Sequence, residues 1–268
     1  MANITILYII LILLMQGRVL CAQAANTLYH HPADSIVIES LKEFPEPILI
    51  DETLPNEVGE WNMRFNFDYL KNDMDVNITL PEVQVFFGIL RNLGGEISIP
   101  LIYRKEVTAN YGFGSISTNI KWLIIKQSSK IPAVVLGFEV GFPTSSLSVE
   151  SVERAFEYSP YIAFLKEVGH LCVQGNLVRA IEFPVSGGEK KFRTEMNVAF
   201  SYPALNEKVD MFIELNSSWL SGEKDELYVS PGIKYYLTEN HFLALALPVE
   251  LNYRRSFSRI IFQYQLLF

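Results

Sequence analysis

The sequence predicts an all-β chain: a transmembrane, antiparallel, up-and-down β-barrel of about twelve strands. Three observations point there. Apolar and polar residues alternate strictly along one segment after another. The chain is rich in aromatics and poor in charge. Its apolar residues are dispersed, with no run outside the N-terminus long enough for a membrane helix.

Composition sets the frame. Of 268 residues, 49% are apolar, 13% aromatic and only 19% charged. Disorder requires low hydrophobicity and high charge, so it is excluded. The 22 Lys and Arg stand against 30 Asp and Glu, a formal charge of −8. Phosphate neutralisation needs a basic surface, so a nucleic-acid partner is not expected.

The first 24 residues read as an address. An apolar block runs from Ile4 to Met15, and Ala22-Gln23-Ala24 follows as an A-x-A cleavage site. Removing 1–24 takes away Arg18 and Cys21 and leaves Cys172 as the single cysteine, so no internal disulfide is expected. Residues 25–58 lack the alternation and carry Pro32, Pro45, Pro47 and Pro55 among several acids. They are expected to form a periplasmic arm or a plug. The barrel is expected over 59–268.

The first strand sets the pattern. Trp61, Met63, Phe65, Phe67 and Tyr69 alternate with Glu60, Asn62, Arg64, Asn66 and Asp68. Side chains on a strand have period two, so one face is apolar and the other polar. Further apolar faces follow at 83–89, 97–103, 116–124, 134–142 and 156–164. Others lie at 171–177, 192–202, 209–215, 227–235, 243–251 and 260–268. Twelve apolar faces pointing inward would overfill a small soluble barrel, so they are expected to face lipid. A sheet in lipid must close, because lipid satisfies no backbone N–H or C=O. Links after even-numbered strands are mostly short and those after odd-numbered strands mostly longer, as periplasmic turns and external loops require.

The chain ends Ile260-Ile261-Phe262-Gln263-Tyr264-Gln265-Leu266-Leu267-Phe268. Ile260, Phe262, Tyr264, Leu266 and the terminal Phe268 look like the assembly signal read by the barrel-assembly machinery of Gram-negative outer membranes. Outer-membrane lipid and that machinery are the expected partners. Several stretches carry a more specific likeness: GEWNMRFNFDYL (59–70), ITLPEVQVFFGILRNLGGEISIPL (78–101), GFGSISTNIKWLI (112–124), IPAVVLGFEVGFPT (131–144) and FEYSPYIAFLKEVG (156–169). Through them the chain resembles the transporter-like outer-membrane barrels called "MetA-pathway of phenol degradation". The resemblance implies transport of a small solute, aromatic or hydrophobic, across the outer membrane.

The polar faces supply the candidate lumen residues: Glu60, Arg64, Asp68, Glu96, Lys121, Glu139, Glu157, Arg193, Glu195, Asp210, Glu214, Lys234 and Arg259. Acids outnumber bases, so an open passage should be weakly cation-selective. The same charges could instead pair across the lumen and close it. No cofactor or metal is expected: His30-His31 lacks further ligands at metal-site spacing, and no Walker pattern exists. His170 and Cys172 stand two apart on a strand and would share a face, yet no acid or amide at a defined spacing orients the histidine. No enzyme is expected.

Overall fold

A computed structural model describes residues 54–71, 76–105, 109–146, 154–204, 208–220, 225–252 and 258–268. The expected signal segment 1–24 and most of 25–58 therefore lie outside the described residues, as do His30 and His31.

Fourteen strand segments follow in order. They are β1 (Trp61–Lys71), β2 (Val76–Leu90), β3 (Leu93–Lys105), β4 (Ala109–Phe113), β5 (Ser117–Ile125), β6 (Ala133–Gly141) and β7 (Ala155–Val168). Then come β8 (Leu171–Pro184), β9 (Lys191–Ala204), β10 (Val209–Leu220), β11 (Glu226–Thr238), β12 (His241–Ala246), β13 (Val249–Glu250) and β14 (Ser258–Leu267). They make twelve crossings, because two crossings are broken. β4 and β5 both pair with β3 and form one crossing interrupted at 114–116. β12 and β13 both pair with β11 and form another, interrupted at Leu247 and Pro248.

Neighbours pair antiparallel throughout, and β14 returns to β1 with Phe65 opposite Tyr264. β10 pairs with β11, so the wall closes. Each of the twelve crossings thereby gains a partner on both sides, with segments β4 and β13 paired on one side only, and the sheet has no open edge strand for lipid to meet.

The alternation is realised face by face. Leu136, Phe138, Ile162, Phe164, Met211, Ile213 and Phe262 are exposed on the outer wall. Their neighbours Val135, Ala163, Phe212 and Ile261 turn inward and are buried. Aromatic contacts run across the outer wall, such as Phe65 on Tyr264 at 6.3 Å and Phe67 on Phe262 at 5.9 Å between ring centroids.

Three local readings change. Ile116 lies in the break between β4 and β5 rather than on a strand, and a short strand segment at 109–113 precedes it. Pro100 has no N–H to give to the ladder, and the Gly114 N–H bonds the Pro100 carbonyl at 2.9 Å where the partner strand breaks. Pro248 lies in the break of the run 243–251, where the Leu247 N–H bonds the Pro231 carbonyl at 3.0 Å, and pairing with β14 ends at Ala246 opposite Ile261. The run at 171–177 continues to Pro184, so it is one of the longer strands.

Candidate functional site: the barrel lumen

β1 begins and β14 ends at the same end of the barrel. That end carries the tight turns, such as Gly169-His170 and Glu239-Asn240. The opposite end carries the longer links. The inward side chains differ strongly between the two ends.

At the tight-turn end the charged side chains are packed. Arg64 is 1% exposed, Lys121 3% and Lys234 1%. The Arg64 guanidinium lies 4.6 Å from the Phe86 ring centre, and its Nε donates to Gln265 Oε1 at 2.9 Å. Lys121 Nζ stands 5.2 Å from the same ring and 3.3 Å from Glu96 Oε2. Glu96 also accepts from Asn119 Nδ2 at 3.4 Å, and Asn119 Oδ1 accepts from the Tyr161 hydroxyl at 3.1 Å. Across the lumen, Lys234 Nζ lies 3.6 Å from the Phe242 ring centre and 5.0 Å from that of Tyr236. The Tyr236 hydroxyl donates to Asp210 Oδ2 at 2.7 Å. Glu214 is fully buried. A cation over an aromatic face is attracted by the ring quadrupole, most strongly where water is excluded.

The segment before β1 lies in this end. A Cβ placed on Gly88 would meet the Glu57 carbonyl oxygen at 1.8 Å, and one on Gly94 would meet Pro55 Cβ at 2.8 Å. Gly88 and Gly94 have the inward parity of Phe86 and Glu96, so Pro55 to Glu57 approach the wall from the lumen side. Leu54 packs with Leu123 against Ala133, Leu165 and Cys172, on β6, β7 and β8. The Gly88 N–H bonds the Glu60 carbonyl at 3.2 Å, and Glu60 Oε2 accepts the Glu57 N–H at 2.9 Å. Glu60 thus precedes β1 and stands exposed at the rim, holding the entering segment.

The loop end is more open. Arg259 donates to both Asp68 oxygens, with Nη2 to Oδ2 at 2.7 Å. Arg193 lies within 3.1 Å of Glu157, 3.7 Å of Glu182 and 2.6 Å of Glu195. Here the side chains keep solvent contact: Arg193 is 32% exposed and Arg259 26%. Glu139 is half-buried on the inward face of β6, opposite Ser159. Between the two ends run carboxamides. Asn216 donates to Asn197 at 3.1 Å and Asn197 to Asn176 at 2.8 Å. Gln263 donates to Asn66 at 3.1 Å and Asn66 to Gln84 at 3.0 Å.

The candidate lumen residues leave out the inward aromatics Phe86, Tyr161, Phe212, Tyr236 and Phe242. Their signal is parity: Phe86 falls between outward Val85 and Phe87, and Phe212 between Met211 and Ile213. Glycines make room for two of them. A Cβ on Gly137 would lie 1.8 Å from Tyr161 Cζ, and one on Gly232 would lie 2.1 Å from Phe212 Cζ.

His170 and Cys172 are not brought together. His170 sits in the β7–β8 turn, its ring edge-on to outward Tyr202 at 6.4 Å. Cys172 is buried inside the barrel against Ala133 and Leu165. The period-two rule fails at this pair because the chain is still turning at His170. Ile260, Phe262, Tyr264, Leu266 and Phe268 lie along the seam where β14 meets β1, with the Phe268 N–H bonded to the Trp61 carbonyl at 2.8 Å.

No family model matches the sequence. No curated protein matches it either. Solved structures do resemble the fold. The COG4313 outer membrane channel from Pseudomonas putida F1 superposes with a TM-score of 0.67 at 10% identity, over 83% of this chain and all of that one. The KdgM porin, solved in complex with disordered oligogalacturonate, gives 0.54 at 10% identity, over 76% of this chain and 98% of that one. At such identity the likeness establishes the architecture: a twelve-stranded barrel of the kind found among outer-membrane channels.

Proposed function

We propose that the chain is an outer-membrane channel that passes a small solute, aromatic or otherwise weakly polar, through the lumen. The observation that carries this reading is the inner wall itself. It couples a solvated, charged loop end to a set of inward rings, Phe86, Phe212 and Phe242 buried and Tyr161 and Tyr236 partly buried. A ligand site of mostly apolar lining with a few placed polar groups suits a flat apolar solute. The resemblance to the phenol-degradation barrels agrees with that class. In this reading an N-terminal signal is cleaved, the tight turns face the periplasm and the loops face outward.

Leu54 to Glu57 act as a plug in the same proposal. The segment closes the tight-turn end, and solute passes when it moves. Gly88→Ala tests this part, because the new Cβ takes the place of the Glu57 carbonyl. The variant should conduct better than the parent chain in a planar bilayer. Equal conductance would show that the segment does not limit passage.

A second reading has its own support. The same packing of Arg64, Lys121, Lys234 and residues 54–57 fits a non-conducting barrel that works through its external loops. Single-channel recording on protein shown to be folded by heat-modifiable gel mobility separates the two. Discrete steps with cation bias under a salt gradient support the channel, since acids outnumber bases on the inner wall. Silence from both the parent chain and Gly88→Ala supports the structural barrel.

A further inference from the structure

Among the described residues the outer wall is apolar, and its charges sit at strand ends with one exception. Lys71 and Lys105 close β1 and β3. Lys166 stands two residues from the end of β7 and donates to the Ser128 and Ser129 carbonyls of the neighbouring turn. Arg179 lies five residues inside β8, with the outward parity of Leu177 and Ile181. Its guanidinium donates to the Thr194 hydroxyl on β9 and stands 5.3 Å from the Phe192 ring centre. Further toward the loop end, Lys190 Nζ lies 4.7 Å from the ring centre of Phe183. Phe183 is edge-on to Tyr158 at 5.4 Å, and Phe156 is its partner on β7. Among the described residues, neither Arg179 nor Lys190 makes an ion pair.

A guanidinium on the lipid face is costly at the bilayer midplane and tolerated near the interface. An aromatic belt marks an interface, and Phe156, Tyr158, Phe183 and Phe192 form one around these two cations. Thr194 uses one of the five guanidinium donors, which leaves a fork free to meet an oxyanion in two-point fashion. The chain as a whole is acidic, so two cations held on rings at this height are a local feature with a local complement.

We propose that the outer face of β8 and β9 at the loop end binds a phosphate-bearing lipid of the membrane leaflet that the loops face. Arg179 takes a phosphate through its free donors. Lys190 takes a second anionic oxygen nearer the loops. The acyl chains lie against Leu177, Ile181 and Met196. The proposal rests on the membrane placement given above, but not on conduction.

The test is native mass spectrometry of the purified, folded barrel in detergent, titrated with bisphosphorylated lipid A. Dephosphorylated lipid A and excess inorganic phosphate serve as comparisons. The parent chain should retain the bisphosphorylated lipid. Arg179→Gln combined with Lys190→Gln should weaken retention by about tenfold or more, the loss expected for charge-assisted hydrogen bonds. Lys190→Gln alone should give a smaller loss. Both positions are on the outer surface, and heat-modifiable mobility confirms that each variant is folded. Equal retention by the double variant overturns the proposal. So does equal retention of the dephosphorylated lipid. Full displacement by inorganic phosphate would assign the site to a free ion instead.

Discussion

The two ends of the lumen use the same residue types at the same strand parity, with opposite results. Arg64 and Lys121, at the tight-turn end, are almost fully buried and lie against Phe86. Arg193 and Arg259, at the loop end, keep about a third or a quarter of their surface in solvent. The difference comes from what stands opposite. At the packed end, rings and the segment from Leu54 to Glu57 exclude water. At the open end, carboxylates contact the cations directly, Glu195 on Arg193 at 2.6 Å and Asp68 on Arg259 at 2.7 Å, and the pairs keep part of their surface in solvent. A buried charge that loses its partner is severely penalised, whereas a solvated one is screened. The packed end should therefore govern stability, and the open end should govern selectivity.

That contrast can be broken at the packed end first. Glu96→Ala removes the carboxylate that Lys121 meets in a nearly dry site. It should cost about 3–5 kcal/mol, the usual penalty for removing one partner of a buried ion pair. Urea-dependent unfolding from lipid vesicles measures it. A loss below about 1 kcal/mol would mean that water reaches Lys121 and that this end is open.

The next largest effect is on the outer wall. Phe65 faces lipid between β2 and β14, and its ring stacks with Tyr264. Phe65→Arg should cost about 2–4 kcal/mol if the position lies near the bilayer midplane. The same titration reads it. No loss would place position 65 away from the hydrocarbon.

The smallest stability effect belongs to the open end. Asp68→Asn breaks the bidentate contact with Arg259 in a half-solvated setting. It should cost about 1 kcal/mol or less. It should also shift the reversal potential under a salt gradient toward the anion side, because a fixed acid is lost. A large stability loss with unchanged selectivity would reverse the roles assigned to the two ends.

Much of the wall was legible in the sequence because period-two alternation is a local property. Trp61 to Tyr69 announce β1 without reference to any other strand. The number of crossings follows from repeating that reading. The breaks were less legible. Pro100 and Pro231 lie within continuous β3 and β11, and the break falls on the partner strand opposite each, at 114–116 and at Leu247 and Pro248, whereas Pro160 lies in β7 with both neighbouring strands continuous. Whether a proline stands opposite a break depends on its neighbours, and that is set by register.

The lumen was legible as a list and not as an arrangement. Parity places Arg64, Glu96, Lys121 and Lys234 on the inner wall. It does not reveal that Arg64 and Lys121 share the Phe86 ring, since those residues meet only through the register of β1 with β2, β2 with β3 and β3 with β5. Nor does it reveal that Gly88 and Gly94 make room for Pro55 and Glu57. Those glycines read locally as weak strand positions. Their use appears only when a second piece of backbone lies against them.

The most direct test of the two-ended lumen is thiol reactivity in folded protein that lacks residues 1–24. Cys172 is the natural probe of the packed end, being 2% exposed beneath Leu54. A cysteine at position 195, introduced as Glu195→Cys in a Cys172→Ala background, probes the open end. With a small, charged, membrane-impermeant thiol reagent, the cysteine at 195 should react readily. Cys172 should stay protected until the barrel is unfolded. Comparable reaction rates at the two positions would contradict the account, because they would show water and reagent moving freely past the Leu54–Glu57 segment.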